Sequence, residues 1–344
     1  MAGSMISSWQ AIASTPHRLF IEPRLWPEPQ KLQPAMIPNA NYHPNPAPAE
    51  NQPAPPPSPV NFSIDAFIPP EMAIKAESVG VKKALMGWRN TFALAVLAGA
   101  FIALGAVFAT TVTTGAAGQL SYGVARLLAG LAFCLGLILV VVAGAELFTG
   151  NNLIIMAWAD RQLPFSKVLR NWTLVYAGNF MGSLATAVVM LLTLQYTFSG
   201  GAVGLNALAT AHAKCSLGFV QAVALGIMCN ALVCLAVWLC FSARTTTDKI
   251  LAIIFPITAF VAAGFEHSVA NMYFIPIGLL IKATAAPEFW AAIGQSAADY
   301  PNLTWGNFFV ANLLPVTIGN IIGGAVMVGL VYWFIYIRKG LTKA

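Results

Sequence analysis

The sequence predicts an all-α membrane protein with six transmembrane helices, built as two inverted three-helix repeats that each contain one broken helix. Three observations support this. Hydrophobic residues make up 58% of the chain and charged residues only 9%, against roughly 25% charged in soluble proteins. Several long stretches carry no charge at all, and two motifs recur in the same order in both halves.

The composition excludes two broad classes of function. So few charges cannot cover a water-exposed surface, which argues against a soluble enzyme and against a nucleic-acid-binding protein. The net charge of +6 comes from few residues. The five cysteines show no CxxC or Cys/His ligand spacing, so we expect neither a metal site nor a cofactor.

The chain divides into three predicted regions. Residues 1–61 are rich in proline and cannot build a core, which predicts a disordered tail. Residues 62–88 contain Pro69-Pro70 before Glu71, a plausible helix start, and predict an interfacial N-terminal helix. A gating role for this helix is the sharper alternative. Residues 89–340 contain the six spans.

Four spans follow from charge-free stretches that exceed the roughly 20 residues a transmembrane helix needs. These stretches are 90–125, 171–213, 215–243 and 300–337. Two further stretches, 127–159 and 250–281, each contain a single charge, Glu146 and Glu266. A straight helix of such length would be about 50 Å long, against an apolar bilayer core of about 30 Å. We therefore predict that each of these two spans is broken near its glutamate, where Gly144, Gly150 and Gly264 permit a turn.

The distribution of Lys and Arg predicts the orientation. Twelve basic residues fall on one side of the six spans, and only Arg126, Lys214 and Lys282 fall on the other. The positive-inside rule then puts both termini in the cytoplasm.

The two broken spans share one pattern, and the spans after them share another. Gly144-x-Glu146-x4-Asn151 matches Gly264-x-Glu266-x4-Asn271. The second pair of motifs is Asn171-x6-Gly178-Asn179-x2-Gly182 and Asn312-x6-Gly319-Asn320-x2-Gly323. Each half has an odd number of spans, so the second half must be inverted in the membrane, which is a common transporter design.

The residues that recur in the repeat have two interpretations. The glycines are typical of close helix packing, and Asn179 and Asn320 are candidates to satisfy backbone groups freed at the breaks. Glu146 and Glu266 are candidates either for proton carriage or, as we favour, for structural capping by free backbone N–H groups at the break.

His267 departs from the repeat, because its counterpart is Leu147, and Thr149 is likewise matched by Val269. A lone histidine on an apolar face is usually a packing residue, but the position at a break favours function. Imidazole can lend a proton or a hydrogen bond near neutral pH. The N-termini of the half-helices favour anions. An unprotonated anion would lose much hydration free energy on passing between apolar side chains. We infer a pore for small anions of weak acids, centred on His267.

Four segments resemble the formate/nitrite transporter family. They are GAELFTGNNL (144–153), NALVCLAVW (230–238), GFEHSVANMYFIP (264–276) and NLLPVTIGNIIGG (312–324). The resemblance covers about residues 65–340, and the segment 287–290 and the last motif look closer to the formate channels. The long tail departs from the usual pattern, which puts gating by the N-terminus in doubt.

The resemblance implies an aquaporin-like homopentamer in a bacterial cytoplasmic membrane, with a lipid bilayer around it and one pore in each protomer. It implies passage of formate, with nitrite or hydrosulfide as alternative solutes and with proton co-transport left open. It implies that His267 is the central pore histidine and that Thr149 is its partner on the first broken helix. It further implies that Lys214 is a vestibule lysine and that Asn230 is a polar neighbour of the pore. The apolar residues that it implies at constrictions are Phe133, Leu137, Leu147 and Phe260.

Two other classes remain as alternatives. A water or ammonia channel would be expected to carry an Asn-Pro-Ala pair inside its spans, and this pair is absent from them. A membrane-embedded enzyme is disfavoured because the sequence has no HExxH motif and no paired carboxylate beside His267.

Overall fold

The computed structural model describes residues 65–338, so the predicted tail of residues 1–61 lies outside the described part of the chain. The regular secondary structure of the described residues is entirely helical. The helices are α1 (Pro69–Leu85), α2 (Trp88–Thr113), α3 (Tyr122–Val142), α4 (Ile155–Ala159), α5 (Phe165–Leu192), α6 (Ala202–Cys215), α7 (Phe219–Ser242), α8 (Thr246–Ala262), α9 (Ser268–Thr284), α10 (Pro287–Ile293) and α11 (Trp305–Tyr336). A 3-10 segment, Gly150–Ile154, leads into α4.

Among the described residues, five helices are long and apolar enough to cross a membrane, namely α2, α3, α5, α7 and α11. A sixth crossing is counted when a bent pair of helices is taken as one span, and the pair that meets this test is α9 with α10, bent by 113°. Helices α8 and α9, which have 17 residues each, are separated by a short non-helical segment. The predicted breaks are present, because both α3 and α8 end immediately before the segment that carries the glutamate. The six-span prediction is therefore confirmed.

The two halves repeat the same packing. Helix α2 packs against α3 and α5, and its counterpart α7 packs against α8 and α11. The two halves meet where α3 contacts α8 and where α5 contacts α9. The sequence analysis placed α1 outside the repeat, but the structure extends each half by one helix, because α1 precedes the first span as α6 precedes the fourth. The N-terminal helix is packed onto the bundle, where it contacts α4, α5 and α7.

Glycines set the distance between the long helices. A methyl group added to Gly182 would overlap the Val96 carbonyl on α2, and one added to Gly323 would overlap the Ile227 carbonyl on α7. These glycines belong to the two Gly-Asn-x2-Gly motifs, so the motif brings backbone against backbone in both halves. Helix α11 contains two π-helical stretches, Phe308–Leu313 and Ile322–Leu330, that the sequence did not predict.

Equivalent residues meet where the two halves face each other. Tyr176 on α5 and Thr317 on α11 hold the same position in the two Asn-x6-Gly-Asn motifs. Their hydroxyl oxygens lie 2.7 Å apart in a hydrogen bond. This contact between counterparts is what a pseudo-twofold relation between the halves requires.

Candidate functional site

The two breaks have the same local geometry. Helices α3 and α8 end at Val142 and Ala262, and the next glycines, Gly144 and Gly264, have φ angles of +82° and +78°. Only glycine adopts this left-handed conformation readily, so each glycine ends its helix. After the turn, the backbone N–H of Glu146 donates to Leu94 of α2, and that of Glu266 donates to Leu225 of α7.

Asparagine side chains complete the backbone hydrogen bonds of the breaks. Asn179 accepts from the N–H of Phe148 at 2.9 Å and donates to the carbonyl of Glu146 at 2.9 Å. Asn320 accepts from the N–H of Ser268 at 2.9 Å and donates to the carbonyl of Glu266 at 3.0 Å. Both side chains are fully buried. A helix can be interrupted inside a membrane only where such partners exist, and the two asparagines provide them.

The first glutamate is held by side chains, which corrects the expectation that backbone N–H groups would cap it. Glu146 is 4% exposed. Its carboxylate accepts from Lys83 at 2.9 Å and from the amide of Asn151 at 2.7 Å. The Asn151 amide also donates to Asn171 at 2.9 Å. A buried carboxylate needs paired charge and hydrogen bonds, and this cluster supplies both.

The second glutamate repeats the arrangement. Glu266 is 5% exposed and accepts from Lys214 at 2.8 Å and from the Asn271 amide at 2.7 Å. The Asn271 amide also donates to Asn312 at 2.7 Å. Each glutamate is thus part of a Lys-Glu-Asn-Asn cluster, and both glutamates and their lysines line a cavity.

Lys83 is a functional candidate that the sequence analysis missed, because it lay outside the predicted repeat. A signal was present in the sequence. Lys83-x3-Gly87-Trp88 matches Lys214-x3-Gly218-Phe219, and each glycine directly precedes the first helical residue of a span.

The two lysines differ in how many acceptors they use. Lys83 Nζ donates to Glu146 and also to the side-chain oxygen of Asn151 at 2.9 Å. Lys214 Nζ donates to Glu266 and lies 5.4 Å from the centre of the Phe274 ring. The side-chain oxygen of Asn271 has no hydrogen-bond partner. Lys214 therefore keeps more of its N–H donors free than Lys83 does.

Two cavities reach the breaks. The Lys214 vestibule has a volume of about 630 Å³ and is lined by residues that include Arg126, Phe133, Lys214, Phe260, His267 and Phe274. The Lys83 vestibule has a volume of about 460 Å³ and is lined by residues that include Lys75, Lys83, Leu137, Glu146, Leu147 and Lys249. All four apolar residues expected at constrictions thus line the path, two in each vestibule, and each is at most 3% exposed.

His267 and Thr149 lie at the wall between the vestibules. His267 lines one cavity, and Gly150, the residue after Thr149, lines the other. The Nε2 atom of His267 and the hydroxyl oxygen of Thr149 are 3.1 Å apart. The two residues are 3% and 0% exposed, so they form a polar contact inside an apolar barrier.

The hydrogen bond that caps the N-terminus of α9 determines which ring nitrogen of neutral His267 carries the proton. Its Nδ1 atom accepts a hydrogen bond from the backbone N–H of Ala270 at 3.0 Å, at the first turn of α9. An accepting ring nitrogen carries no proton, so the neutral ring carries it on Nε2 and donates to Thr149. A second proton on Nδ1 would oppose the Ala270 N–H and break this cap. The barrier therefore offers a hydrogen-bond donor rather than a free cation.

Asn230 lies behind the backbone of Thr149. Its amide group donates to the Thr149 carbonyl at 3.3 Å, to Asn152 at 2.9 Å and to the Asn320 carbonyl at 2.7 Å. It is fully buried and lines neither vestibule. Asn230 thus supports the backbone of Thr149. Within residues 65–338, no group of three or more His, Cys, Asp or Glu side chains could hold a metal ion.

Comparisons with known proteins show which family the sequence resembles. The sequence profile described as formate/nitrite transporter matches residues 70–334. The formate channel FocA of Escherichia coli K12 is 47% identical over 276 residues, which cover 80% of this chain and 96% of that protein. The formate channel FocA of Haemophilus influenzae is 43% identical over 268 residues, covering 78% and 94%.

Solved structures show the same fold. A structure described as a pentameric formate channel with formate bound superposes with a TM-score of 0.70 at 50% identity, and it covers 73% of this chain and 98% of its own. A second structure, described as an ion channel of the same family, has a TM-score of 0.63 at 28% identity, with coverages of 77% and 98%.

Proposed function

The chain belongs to the formate/nitrite transporter family, and we propose that it is a membrane channel through which formate crosses one buried barrier at His267 and Thr149. The observation that carries the proposal is the arrangement of the cavities. Two vestibules, each lined by a lysine, are separated by this single polar contact. Such a path conducts a solute rather than transforming it, so the protein is not an enzyme.

The vestibules explain why the solute is a small anion. An ammonium group in a partly enclosed cavity attracts anions and raises their local concentration. The four apolar side chains of the barrier then exclude solutes that need a hydration shell. A weak acid meets both requirements, because its anion is drawn to the lysine and its protonated form enters apolar surroundings at low cost. Formate is the smallest carboxylate of this kind.

We further propose that formate crosses the barrier together with a proton. The neutral His267 ring donates through Nε2 alone, because Nδ1 is engaged by Ala270. It therefore offers one hydrogen bond to an oxygen of the solute in place of the Thr149 hydroxyl. Formate takes this proton from hydronium in the vestibule that it enters, and formic acid releases the proton to water in the vestibule on the other side. This proposal extends to nitrite and hydrosulfide, which are also anions of weak acids.

The surroundings of the channel complete the proposal. Large apolar side chains such as Leu104, Phe108, Val189 and Phe255 are exposed on the described surface, as expected of a multi-pass membrane protein. We propose a bacterial cytoplasmic membrane with both termini in the cytoplasm, so that the Lys83 vestibule faces the cytoplasm. We propose a homopentamer with one pore per protomer, which is supported by the similarity to a solved structure described as a pentameric channel.

Uptake of labelled formate into proteoliposomes tests the proposal, with internal pH followed in the same vesicles. We expect saturable uptake that increases at low external pH and acidifies the vesicle interior. His267→Ala should abolish or reshape this pH dependence between about pH 5 and pH 8. His212→Ala, which removes a histidine of α6 outside both vestibules, is the matched control.

Two outcomes would contradict the proposal. Wild-type vesicles that take up no more formate than empty vesicles would exclude formate transport. Uptake by His267→Ala with the wild-type rate and pH profile would exclude the assigned role of His267. A panel of formate, nitrite and hydrosulfide in the same assay determines which anion is preferred.

A further inference from the structure

Arg126 is a further departure from the repeat, besides His267 and Thr149. It lies in the first turns of α3, and the position equivalent to it in the second half is Thr246 on α8. Its side chain points into the Lys214 vestibule, where it is part of the lining together with His267. Residues that build the scaffold occur in both halves. A residue that occurs in only one half is therefore a candidate for a function specific to the break in that half.

The guanidinium of Arg126 is bound to the end of the opposite half-helix. Its Nε atom donates to the carbonyl of Ala262 at 3.3 Å, and its Nη2 atom donates to the carbonyl of Val261. Ala262 is the last residue of α8, where carbonyls run out of intrahelical partners. The Val261 carbonyl also accepts from the backbone N–H of Gly264 at 3.1 Å. The guanidinium also lies against Gly264, where an added methyl group would be 3.6 Å from Nη2. Arg126 thus binds the segment that immediately precedes the break.

The contact is specific to the break that carries the histidine. His267 follows Ala262 by five positions, and the chain between them makes the left-handed turn at Gly264. The other break carries Leu147, and no side chain within residues 65–338 is hydrogen-bonded to the carbonyls of Val141 or Val142, which end α3.

The electrostatics favour the same interpretation. Helix α8 directs its C-terminal end, with a partial negative charge of roughly 0.5, toward the path of an anion. The positive guanidinium offsets this partial charge at the point where the solute passes. It also fixes two carbonyls in a planar fork, which a flexible ammonium group cannot do.

We propose that Arg126 is a positioning residue for transport, which holds the end of α8 so that the Nε2–H of His267 faces the barrier. This inference rests on the proposed function. The competing interpretation is that Arg126 only recruits anions to the mouth of the Lys214 vestibule. The two differ in what they predict, because recruitment changes the apparent affinity, whereas positioning changes the maximal rate and its pH dependence.

Formate uptake by Arg126→Met and Arg126→Lys separates the two interpretations. Positioning predicts that Arg126→Met lowers maximal uptake about tenfold, as expected for the loss of charge-assisted hydrogen bonds, and shifts the pH profile toward that of His267→Ala. Arg126→Lys should recover part of the rate, because an ammonium can reach one carbonyl. Arg89→Met is the matched control, since it removes an exposed arginine at the start of α2 that lines neither vestibule. A higher half-saturation concentration with an unchanged maximum and pH profile would overturn the proposal.

Hydrogen exchange gives a readout that does not depend on transport. Measured on the full chain in detergent, Arg126→Met and Arg126→Lys should both exchange faster than wild type over residues 262–270, while residues 142–150 are unchanged. If Arg126→Met does not fold, the comparison of Arg126→Lys with wild type decides. Unchanged exchange over residues 262–270 would overturn the proposed contact even if formate uptake falls. Faster exchange in a protein that transports no formate would instead count against the proposed function alone.

Discussion

Lys83 and Lys214 occupy equivalent positions before the first and fourth spans, and each binds the buried glutamate of the break in its own half, at 2.9 Å and 2.8 Å. The pairs fix a negative and a positive charge in the lining of each vestibule. Removing one partner of such a pair leaves the other charge buried without compensation.

A double-mutant cycle on the first pair tests this energetic coupling. Lys83→Met alone should lower the thermal midpoint of the solubilised protein, because breaking a buried pair costs about 3–5 kcal/mol and Lys83 is partly exposed, which reduces that cost. Lys83→Met with Glu146→Gln should recover most of the loss, since the glutamine is neutral and can still bond to Asn151. Equal midpoints for the single and double variants would show that the pair is not coupled.

Removal of the Thr149 hydroxyl tests the polar contact in the barrier. Thr149→Val keeps the shape of the side chain but leaves the Nε2–H of His267 without an acceptor. We expect maximal formate uptake to fall about five- to tenfold, which corresponds to about 1 kcal/mol or slightly more. Thr149→Ser, which retains the hydroxyl, should keep most of the rate. Equal uptake by the valine and serine variants would show that the hydroxyl does not contribute.

The tight helix contacts predict a severe effect of one added methyl group. Gly323→Ala would press against the Ile227 carbonyl, so α7 and α11 must separate. Overpacking of this kind costs about 1–3 kcal/mol or more, and we expect a lower thermal midpoint and reduced yield of folded protein. Gly123→Ala is the control, because nothing lies within 4 Å of its added methyl group. A Gly323→Ala variant as stable as Gly123→Ala would contradict the close packing.

Lys75 predicts a pH dependence of stability at the N-terminal helix. Partial burial, followed by repulsion from Lys249 and Arg244, lowers the pKa of Lys75 below its usual 10.5. A lysine with a lower pKa in the folded state releases its proton on folding, so the free energy of unfolding rises as the pH increases from the lowered pKa toward 10.5. Lys75→Met should reduce this rise.

The measurement is the thermal midpoint between about pH 7 and pH 10. Lys82→Met removes an exposed lysine from the same helix and controls for the loss of a charge. Identical pH profiles for Lys75→Met and Lys82→Met would contradict the prediction. The hydrogen bond from Lys75 to the Phe241 carbonyl, at 3.0 Å, is lost at every pH and lowers all midpoints of that variant alike.

The sequence predicted the fold because the constraints that produce it are local. Two apolar stretches are longer than the bilayer core is thick, which required a break in each. Gly144 and Gly264 indicated where each break falls. The repeated Asn-x6-Gly-Asn motif then identified which side chains complete the broken backbone. The breaks and the motifs are defined by the spacing of residues along the chain, and this spacing can be read from a single sequence.

The parts that escaped prediction depend on contacts between distant segments. Arg126 and Ala262 are far apart in the sequence, so nothing near either residue indicates their hydrogen bond. The donors to the carboxylates of Glu146 and Glu266 were misassigned for the same reason, because the lysines belong to helices α1 and α6. The π-helical stretches of α11 are a third case, since the sequence pattern of a π-helix differs little from that of an α-helix.

The close approach of α2 to α5 and of α7 to α11 has a consequence for how such proteins diverge. Where helices are held together by backbone contacts, their packing does not depend on the side chains that line the vestibules. Residues that line the vestibules can therefore be substituted without weakening the packing of the surrounding helices. The solute selectivity of one fold can change in this way, while the glycines at the helix contacts stay the same.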